Sequence, residues 1–333
     1  MTRFHVANAA EIDRSAQPSD VERSRTSRNA AMASTAAEDG YNVAEDFEAL
    51  AKACPALDKF LIGPVGEPRR INFRDESAVE ELTRSLLQRD YGVSWERPPG
   101  ALIPPVPNRM SYVAWLRDLI AVSPRPSAAA PPRGTDAPRI RGVDVGTGGS
   151  LIYALLGAAS CGWSMIATDV TDASLAWAER NRASNPHLAA LIEIRDARPA
   201  ERGDRCEAGI LCGVVRPDDG PLDFCMCNPP FFDVGEPRAL HKPGHGGLSN
   251  ELACPGGELA FIRAMLKDSK QIGEQIVWYS CMLGRKVHLK AFKKDLQAAP
   301  GVTTTRVCSW KHGRTTRWAV AWSYVRFTKR KRE

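Results

Sequence analysis

Residues 140–159, Ile-Arg-Gly-Val-Asp-Val-Gly-Thr-Gly-Gly-Ser-Leu-Ile-Tyr-Ala-Leu-Leu-Gly-Ala-Ala, set the fold class of this 333-residue chain. Ile140 to Val145 reads as a first buried strand, Gly146-Thr147-Gly148-Gly149 as a turn, and Leu151 to Ala159 as a helix opening near Ser150. Strand, tight turn and helix in that order begin a parallel α/β sheet. The run Ser164–Thr168 gives a second strand that ends at Asp169. Further strands are expected near residues 191–195, 222–227 and 275–280, with helices near 173–183, 257–268 and 286–297. Two last strands, near 303–310 and 317–325, flank Lys311-His312-Gly313-Arg314, which reads as a hairpin turn. The expected fold is therefore α/β: a doubly wound, Rossmann-like sheet with terminal antiparallel strands, preceded by a small, mainly helical module.

The glycine turn has a chemical use. Glycines let the backbone pass close to a ligand, and the following helix offers unpaired N–H groups. A carboxylate about 20 residues further on suits ribose hydroxyls, and Asp169 stands there. The pattern is Asp-Val-Gly-Thr-Gly, without the third glycine of a pyrophosphate cradle and without a Walker-type Gly-Lys-Ser/Thr. It suits a mononucleoside-like cofactor such as S-adenosylmethionine.

A second site lies at the end of the fourth strand. Leu222-Asp223-Phe224-Cys225-Met226-Cys227 stops at Asn228-Pro229-Pro230-Phe231, where consecutive prolines cannot continue the ladder. Ligands bind outside the carboxyl ends of strands in open α/β sheets. An amide oxygen, stiff carbonyls and an aromatic ring at that lip match a planar exocyclic amine, which offers two N–H bonds and a face for stacking. Asn228, Pro229, Pro230 and Phe231 are the candidate catalytic residues.

Composition narrows the class. The content is 43% hydrophobic, no apolar run is long enough to span a bilayer, and a secretory leader is not supported. Nine cysteines lie without Cys-x-x-Cys spacing, which suits reduced thiols; Cys225 and Cys227 share one strand face, and no metal is expected. Net charge is +6, but from Gly284 to Glu333 fourteen Lys or Arg residues face only Asp295 and Glu333. Lys286, Lys290, Lys293 and Lys294 fall on one side of a helix whose apolar stripe is Leu289, Phe292 and Leu296. Arg306, Lys311, Arg314 and Arg317 continue the sign, so this half reads as a phosphate-tracking surface.

Five segments follow from these patterns. Residues 1–40 are expected to be disordered, 41–122 to form an N-terminal RNA-binding module, 123–138 a Pro/Ala/Arg linker, 139–326 the catalytic domain and 327–333 a basic tail. In the module, Ser77-x-x-Glu80 resembles a capping box before Val79, Leu82, Leu86 and Leu87. Tyr112, Trp115, Leu116, Leu119 and Ile120 recur at helical spacing and read as core. Residues 237–250 read as a loop beside the Asn-Pro-Pro-Phe turn.

Several longer motifs resemble one family. Asp223–Phe232, Gly256-Gly257-Glu258-Leu259, Trp278–Gly284, Gly313-Arg314-Thr315-x-Arg317-Trp318 and Asn72-Phe73-Arg74-Asp75 are similar to the U6 small nuclear RNA (adenine-N6)-methyltransferase family. That family comprises methyltransferase-like protein 16 and relatives, bacterial ribosomal RNA methyltransferases among them. The resemblance runs from about Ile71 to Tyr324 and implies a class I methyltransferase fold. It also implies S-adenosyl-L-methionine as cofactor and N6 of adenosine in a structured RNA as acceptor. By motif, Arg109 would meet the cofactor carboxylate. Asp144, Gly146, Thr147, Gly148, Ser150, Asp169 and Asn228 complete the expected cofactor set. Family members usually carry Glu at the position of Asp169.

Arg74, Phe232, Arg238, Lys242, Arg285, Lys286, Lys290 and Arg314 are the expected RNA contacts. The family's long Arg/Pro-rich loop after the Asn-Pro-Pro-Phe turn is shorter here. Structured RNA is the expected partner, with no membrane and no metal, in the nucleus and/or cytoplasm. Enzymes that methylate protein glutamine also use Asn-Pro-Pro plus an aromatic residue, and a non-catalytic RNA-binding protein on the same fold is the other alternative. The expected chemistry has the Asn228 oxygen and the Pro229 carbonyl accepting the amine hydrogens, with Phe231 or Phe232 stacked on the base.

Overall fold

The computed structural model describes residues 44–64, 67, 69–123, 140–198, 209–212, 214–236, 246–313 and 315–327. The segment expected to be disordered, nearly all of the linker, Arg238, Lys242, Arg314 and all but the first residue of the basic tail lie outside them.

One seven-stranded sheet organises the molecule. Its strands are β1 (Arg141–Val145), β2 (Ser164–Asp169), β3 (Ile192–Asp196), β4 (Leu222–Cys227), β5 (Ile276–Leu283), β6 (Thr304–His312) and β7 (Thr315–Ser323), in the spatial order β6-β7-β5-β4-β1-β2-β3. Every pairing from β5 across to β3 is parallel, and β7 is antiparallel to both β5 and β6. The order reverses beside β1, which pairs with both β2 and β4, and that is where such sheets take ligands. This is the doubly wound sheet with a terminal antiparallel pair.

The flanking helices are α1 (Ala44–Ala53), α2 (Glu76–Tyr91), α3 (Val106–Ala121), α4 (Ile152–Cys161), α5 (Asp172–Ala183), α6 (Gly257–Ile272) and α7 (Lys286–Ala298). Alternation along β4 divides the core between two faces. Phe224 and Met226 pack in the cluster that contains Tyr112, Val113, Leu116, Leu155 and Trp163. Cys225 and Cys227 face the other way, toward Ile262 and Met265 of α6 and Phe292 of α7, as free thiols. Leu289, Phe292 and Leu296 are buried, leaving Lys286, Lys290, Lys293 and Lys294 of α7 exposed.

Three local expectations are corrected. The cap of α2 is Asp75, whose carboxylate accepts from the N–H groups of Ser77 and Ala78; Ser77 is already inside the first turn. A carboxylate there meets the positive end of the helix dipole, which a serine hydroxyl does less well. The hairpin turn is shorter than Lys311–Arg314, because β6 runs through His312, which pairs with Thr315. Gly313, at φ +55°, takes the left-handed conformation that a two-residue turn requires. Finally, α2 and α3 do not form a body separate from the sheet. Leu87, Val93, Trp95, Tyr112 and Leu116 share one hydrophobic cluster with Leu151, Leu155 and Phe224. Asn181 and Asn185 of the α5 region clamp the backbone at Ser94 and Glu96. Among the described residues, Phe47, Leu50, Ala51, Leu57, Ile71, Ala78 and Leu82 form a small outer core of their own.

Candidate active site

The carboxyl ends of β1, β2 and β4 surround a cavity of about 240 Å³. Its floor is the glycine turn. Gly146 and Gly148 have φ of +70° and +62°, values open to glycine at little cost, and between them Thr147 donates its N–H to the Thr168 carbonyl at 2.8 Å. Gly149 is required for a different reason: a Cβ there would lie 2.6 Å from Pro98 Cγ and 2.8 Å from Trp177 Cβ. The helix opens at Ile152, two residues later than expected, because Leu151 itself sits at φ +53°. Ser150 lines the cavity while its carbonyl receives the Trp95 indole N–H at 3.1 Å.

Three polar atoms around this cavity are buried without a hydrogen-bond partner: Arg109 Nε, Asp144 Oδ1 and Asn228 Oδ1. Each belongs to a residue singled out from sequence, and Arg109 and Asn228 line the cavity wall. Orphaned buried groups are costly, so their convergence points to a guest that supplies partners. Arg109 lies in the first turn of α3 rather than before it. Its Nη1 donates to the Tyr153 hydroxyl at 3.1 Å, and its guanidinium sits 5.4 Å from that ring's centroid. Asp144 Oδ2 accepts from Thr147 Oγ1 at 2.7 Å. Burial pushes its carboxyl up to about 7, with the nearby Asp169 charge in the same direction and Thr147 and Arg109 opposing.

Asp169 ends β2 at the cavity wall. One oxygen accepts the backbone N–H of Val170 at 2.8 Å, and the other accepts that of Gly148 at 2.9 Å. A carboxylate oxygen has two lone pairs, so Oδ2 can take a further hydroxyl from the cavity. The set therefore offers a guanidinium N–H, a buried carboxylate oxygen, a second carboxylate and an amide oxygen. It fits a ligand that carries a carboxylate, a cationic centre and a ribose. Among the described residues, no group of three or more His, Cys, Asp or Glu side chains could hold a metal ion.

Asn228, Pro229 and Pro230 line the cavity, but Phe231 and Phe232 do not. Phe231 turns away to pack on Gly284, where a Cβ would come within 3.2 Å of its ring, and the Arg317 guanidinium lies 5.2 Å from that ring's centroid. Arg317 is half-buried, and desolvation together with the Arg109 charge holds its pKa below the ordinary value. Phe232 enters a two-residue parallel pairing with Ala253–Cys254, and Arg285 lies 5.7 Å from its ring while bridging Glu236. Arg74 is exposed, next to the 37% exposed Phe73.

Other wall residues carry no sequence signature. Glu251 reaches in from the segment after residue 245 and accepts from the N–H groups of Leu102 and Leu248 at 2.8 and 2.9 Å. Gly209 and Ile210 close another side, fixed by the Asp268 carboxylate that accepts from Leu211 N–H at 2.7 Å. Leu102, Pro104 and Phe261 add apolar wall. No periodicity or spacing joins these positions; only the tertiary fold does.

With this geometry in hand, likeness to known proteins is informative. A family profile described as RNA methyltransferase matches residues 30–326. The zebrafish (Danio rerio) RNA N(6)-adenosine-methyltransferase mettl16 is 37% identical over 292 residues, covering 84% of this chain and 56% of that protein. The human METTL16 catalytic domain, solved in complex with MAT2A 3'UTR hairpin 1, has a TM-score of 0.69 and 34% identity over 84% of this chain and 91% of that one. The N-terminal domain of human METTL16 in complex with SAH has a TM-score of 0.65 and 34% identity, over 84% of this chain and 95% of that one. The chain spans about half the length of the curated METTL16 relatives it matches. It belongs to this RNA methyltransferase family.

Proposed function

We propose that this member of the family transfers a methyl group from S-adenosyl-L-methionine to the exocyclic N6 of an adenosine in structured RNA, with U6 small nuclear RNA as a candidate target. The observation that carries the proposal is the unpartnered, buried Asn228 Oδ1 beside Pro229 and Pro230 at the cavity wall. Supporting it are the RNA hairpin and SAH bound by the two human METTL16 domains to which this chain is similar.

S-adenosyl-L-methionine, when bound, supplies an electrophilic methyl on a sulfonium centre. Arg109 Nε would meet its carboxylate, Asp144 Oδ1 would face positive charge, and Asp169 Oδ2 would accept from a ribose hydroxyl. The adenine N6 lone pair is delocalised into the ring, so the amine must be held and polarised before it attacks. Asn228 Oδ1 and the Pro229 carbonyl accept its two hydrogens, favouring a tetrahedral nitrogen and stabilising the positive charge that grows there. No dedicated base is needed, because the amine proton leaves to water after transfer. Phe231, with Arg317 over its ring, packs on Gly284 outside the cavity wall, so stacking on a flipped base would require that ring to turn toward Pro230.

RNA would lie across the positive helix face of α7, with Lys286 and Lys290, and extend to Arg74 in the N-terminal region. Arg238, Lys242 and Arg314, outside the described residues, are proposed RNA contacts on their charge alone. If U6 RNA is the target, the protein acts in the nucleus. The test is incubation of the purified chain with labelled cofactor and total RNA, with a protein extract in parallel. Digestion should place the label in N6-methyladenosine; label recovered instead in glutamine would overturn the assignment.

A further inference from the structure

The strand that carries Asn228 loses one neighbour just before it reaches the site. β4 stays paired with β1 as far as Cys227, opposite Val145. Its pairing with β5 ends at Cys225, opposite Tyr279. β5 runs on to Leu283 with its other edge still paired to β7, a pairing that begins at Tyr279. The two strands thus part, and two fully buried hydroxyls fill the gap. Ser280 Oγ donates to the Cys225 carbonyl at 2.7 Å, and the Tyr112 hydroxyl lies 2.8 Å from Ser280 Oγ. Cys227 N–H donates to that same tyrosine oxygen at 3.4 Å. Each proton then has one assignment: Cys227 N–H to Tyr112, Tyr112 O–H to Ser280, Ser280 O–H to Cys225.

From this geometry we infer that Tyr112 and Ser280 are positioning residues: a hydroxyl wedge that replaces ladder bonds, spreads β4 from β5 and fixes the backbone from which Asn228 projects. The wedge is itself held rigid. Tyr112 packs edge-on to Tyr153 with ring centroids 5.7 Å apart and stacks on Trp310 at 6.2 Å. Tyr153 also receives Arg109 and donates to Met282 Sδ at 3.0 Å, so the wedge connects the two ends of the cavity. A core tyrosine needs a hydroxyl partner, but any nearby carbonyl would serve. Here the O–H goes to Ser280, and the tyrosine oxygen in turn accepts from the amide one residue before Asn228. A misplacement of about 1 Å at a reacting group can cost about 100-fold in rate.

The inference rests on the proposed methyl transfer at Asn228, and the test separates the two. Tyr112→Phe and Ser280→Ala remove one hydroxyl each without changing the packing of the rings. At saturating cofactor and an adenosine-containing hairpin RNA, kcat should fall about tenfold or more, while Kd for S-adenosylhomocysteine and for the hairpin stays within twofold. Amide exchange at Cys227 should quicken in both variants. A kcat within twofold of wild type, or a Cys227 amide exchanging at the wild-type rate, would refute the wedge while leaving the methyltransferase assignment standing. Losses of kcat and both affinities together would mean general loosening and also refute it. A wild-type protein that methylates no adenosine would sink the assignment, and exchange at Cys227 would still decide whether the wedge holds β4.

Discussion

Asp144→Asn should make the cofactor-free protein more stable and the cofactor bind less tightly. Asp144 is 1% exposed, and its pKa stands at about 7 against an ordinary 3.8. Between those values the folded chain holds a proton that the unfolded chain has released. Stability therefore falls as pH rises from about 4 to about 7, and is flat above that range. The full difference amounts to about 4 kcal/mol at high pH. Relaxation of the surroundings offsets part of this, leaving about 2 kcal/mol as the expected gain from a neutral amide. For a chain this size that is a rise in Tm of roughly 4 °C at about pH 8, and clearly less at about pH 5. Asparagine can keep the Thr147 bond through its oxygen, but it loses the charge that opposes a cationic ligand. S-adenosylmethionine affinity, measured by calorimetry at about pH 8, should drop at least about tenfold. Thermal scans at the two pH values check the first half. A Tm gain that is equal at both, or absent at the higher one, would refute the buried-charge argument.

Asn228→Ala should lower methyl transfer by about 100-fold or more, with hairpin affinity kept, in a single-turnover assay. Joint replacement of Lys290, Lys293 and Lys294 by Ala should flatten the salt dependence of RNA binding by up to about 0.9 for each phosphate these lysines neutralise, read from Kd against salt concentration. Gly149→Ala should weaken cofactor binding and cost roughly 1–3 kcal/mol of stability, because its Cβ meets Pro98 and Trp177 at 2.6 and 2.8 Å. Arg317→Ala should weaken hairpin binding while leaving S-adenosylhomocysteine affinity near wild type; an unchanged RNA Kd would remove Arg317 from the RNA surface.

The sheet is legible from sequence because its signals are local and cooperative. A glycine turn after Val145, an acid at the end of Ser164–Thr168 and two prolines after Cys227 each mark a strand's carboxyl end. Geometry that depends on partners distant in sequence is not legible. Tyr112 reads as plain core, since nothing at its position reveals that Cys227, more than a hundred residues later, supplies the amide for its hydroxyl. Ser77 looks like a cap because the Ser-x-x-Glu spacing is right, but the helix starts two residues earlier, where Asp75 accepts from the Ser77 and Ala78 amides with a formal charge. The division at residue 123 follows the Pro/Ala/Arg composition beyond it, whereas Leu116 and Trp95 are apolar residues whose burial against α4 cannot be seen in a window. Phe231 matches the expected aromatic residue in type; its ring direction depends on Gly284, which leaves room under it.

The charges around the cavity follow one logic. Arginines buried elsewhere in the fold are neutralised: Arg69 bridges Glu48 and Asp58, and Arg195 bridges Glu193 and Asp219. Arg109 is buried and Arg317 half-buried, yet neither forms an ion pair among the described residues, and the charge of Arg109 disfavours that of Arg317. Two like charges held near one another, with Asp144 and Glu258 offsetting only part of the repulsion, cost stability, and a core free to repack would replace them with apolar groups. Their retention is explained if each awaits an anion brought from outside: a cofactor carboxylate for Arg109 at the inner wall and a phosphate for Arg317 at the rim. The same reasoning accounts for Asp144, an acid held near neutrality until a cation arrives. Cofactor and RNA would then each relieve an electrostatic penalty built into the site, so binding of one should lower the cost of binding the other.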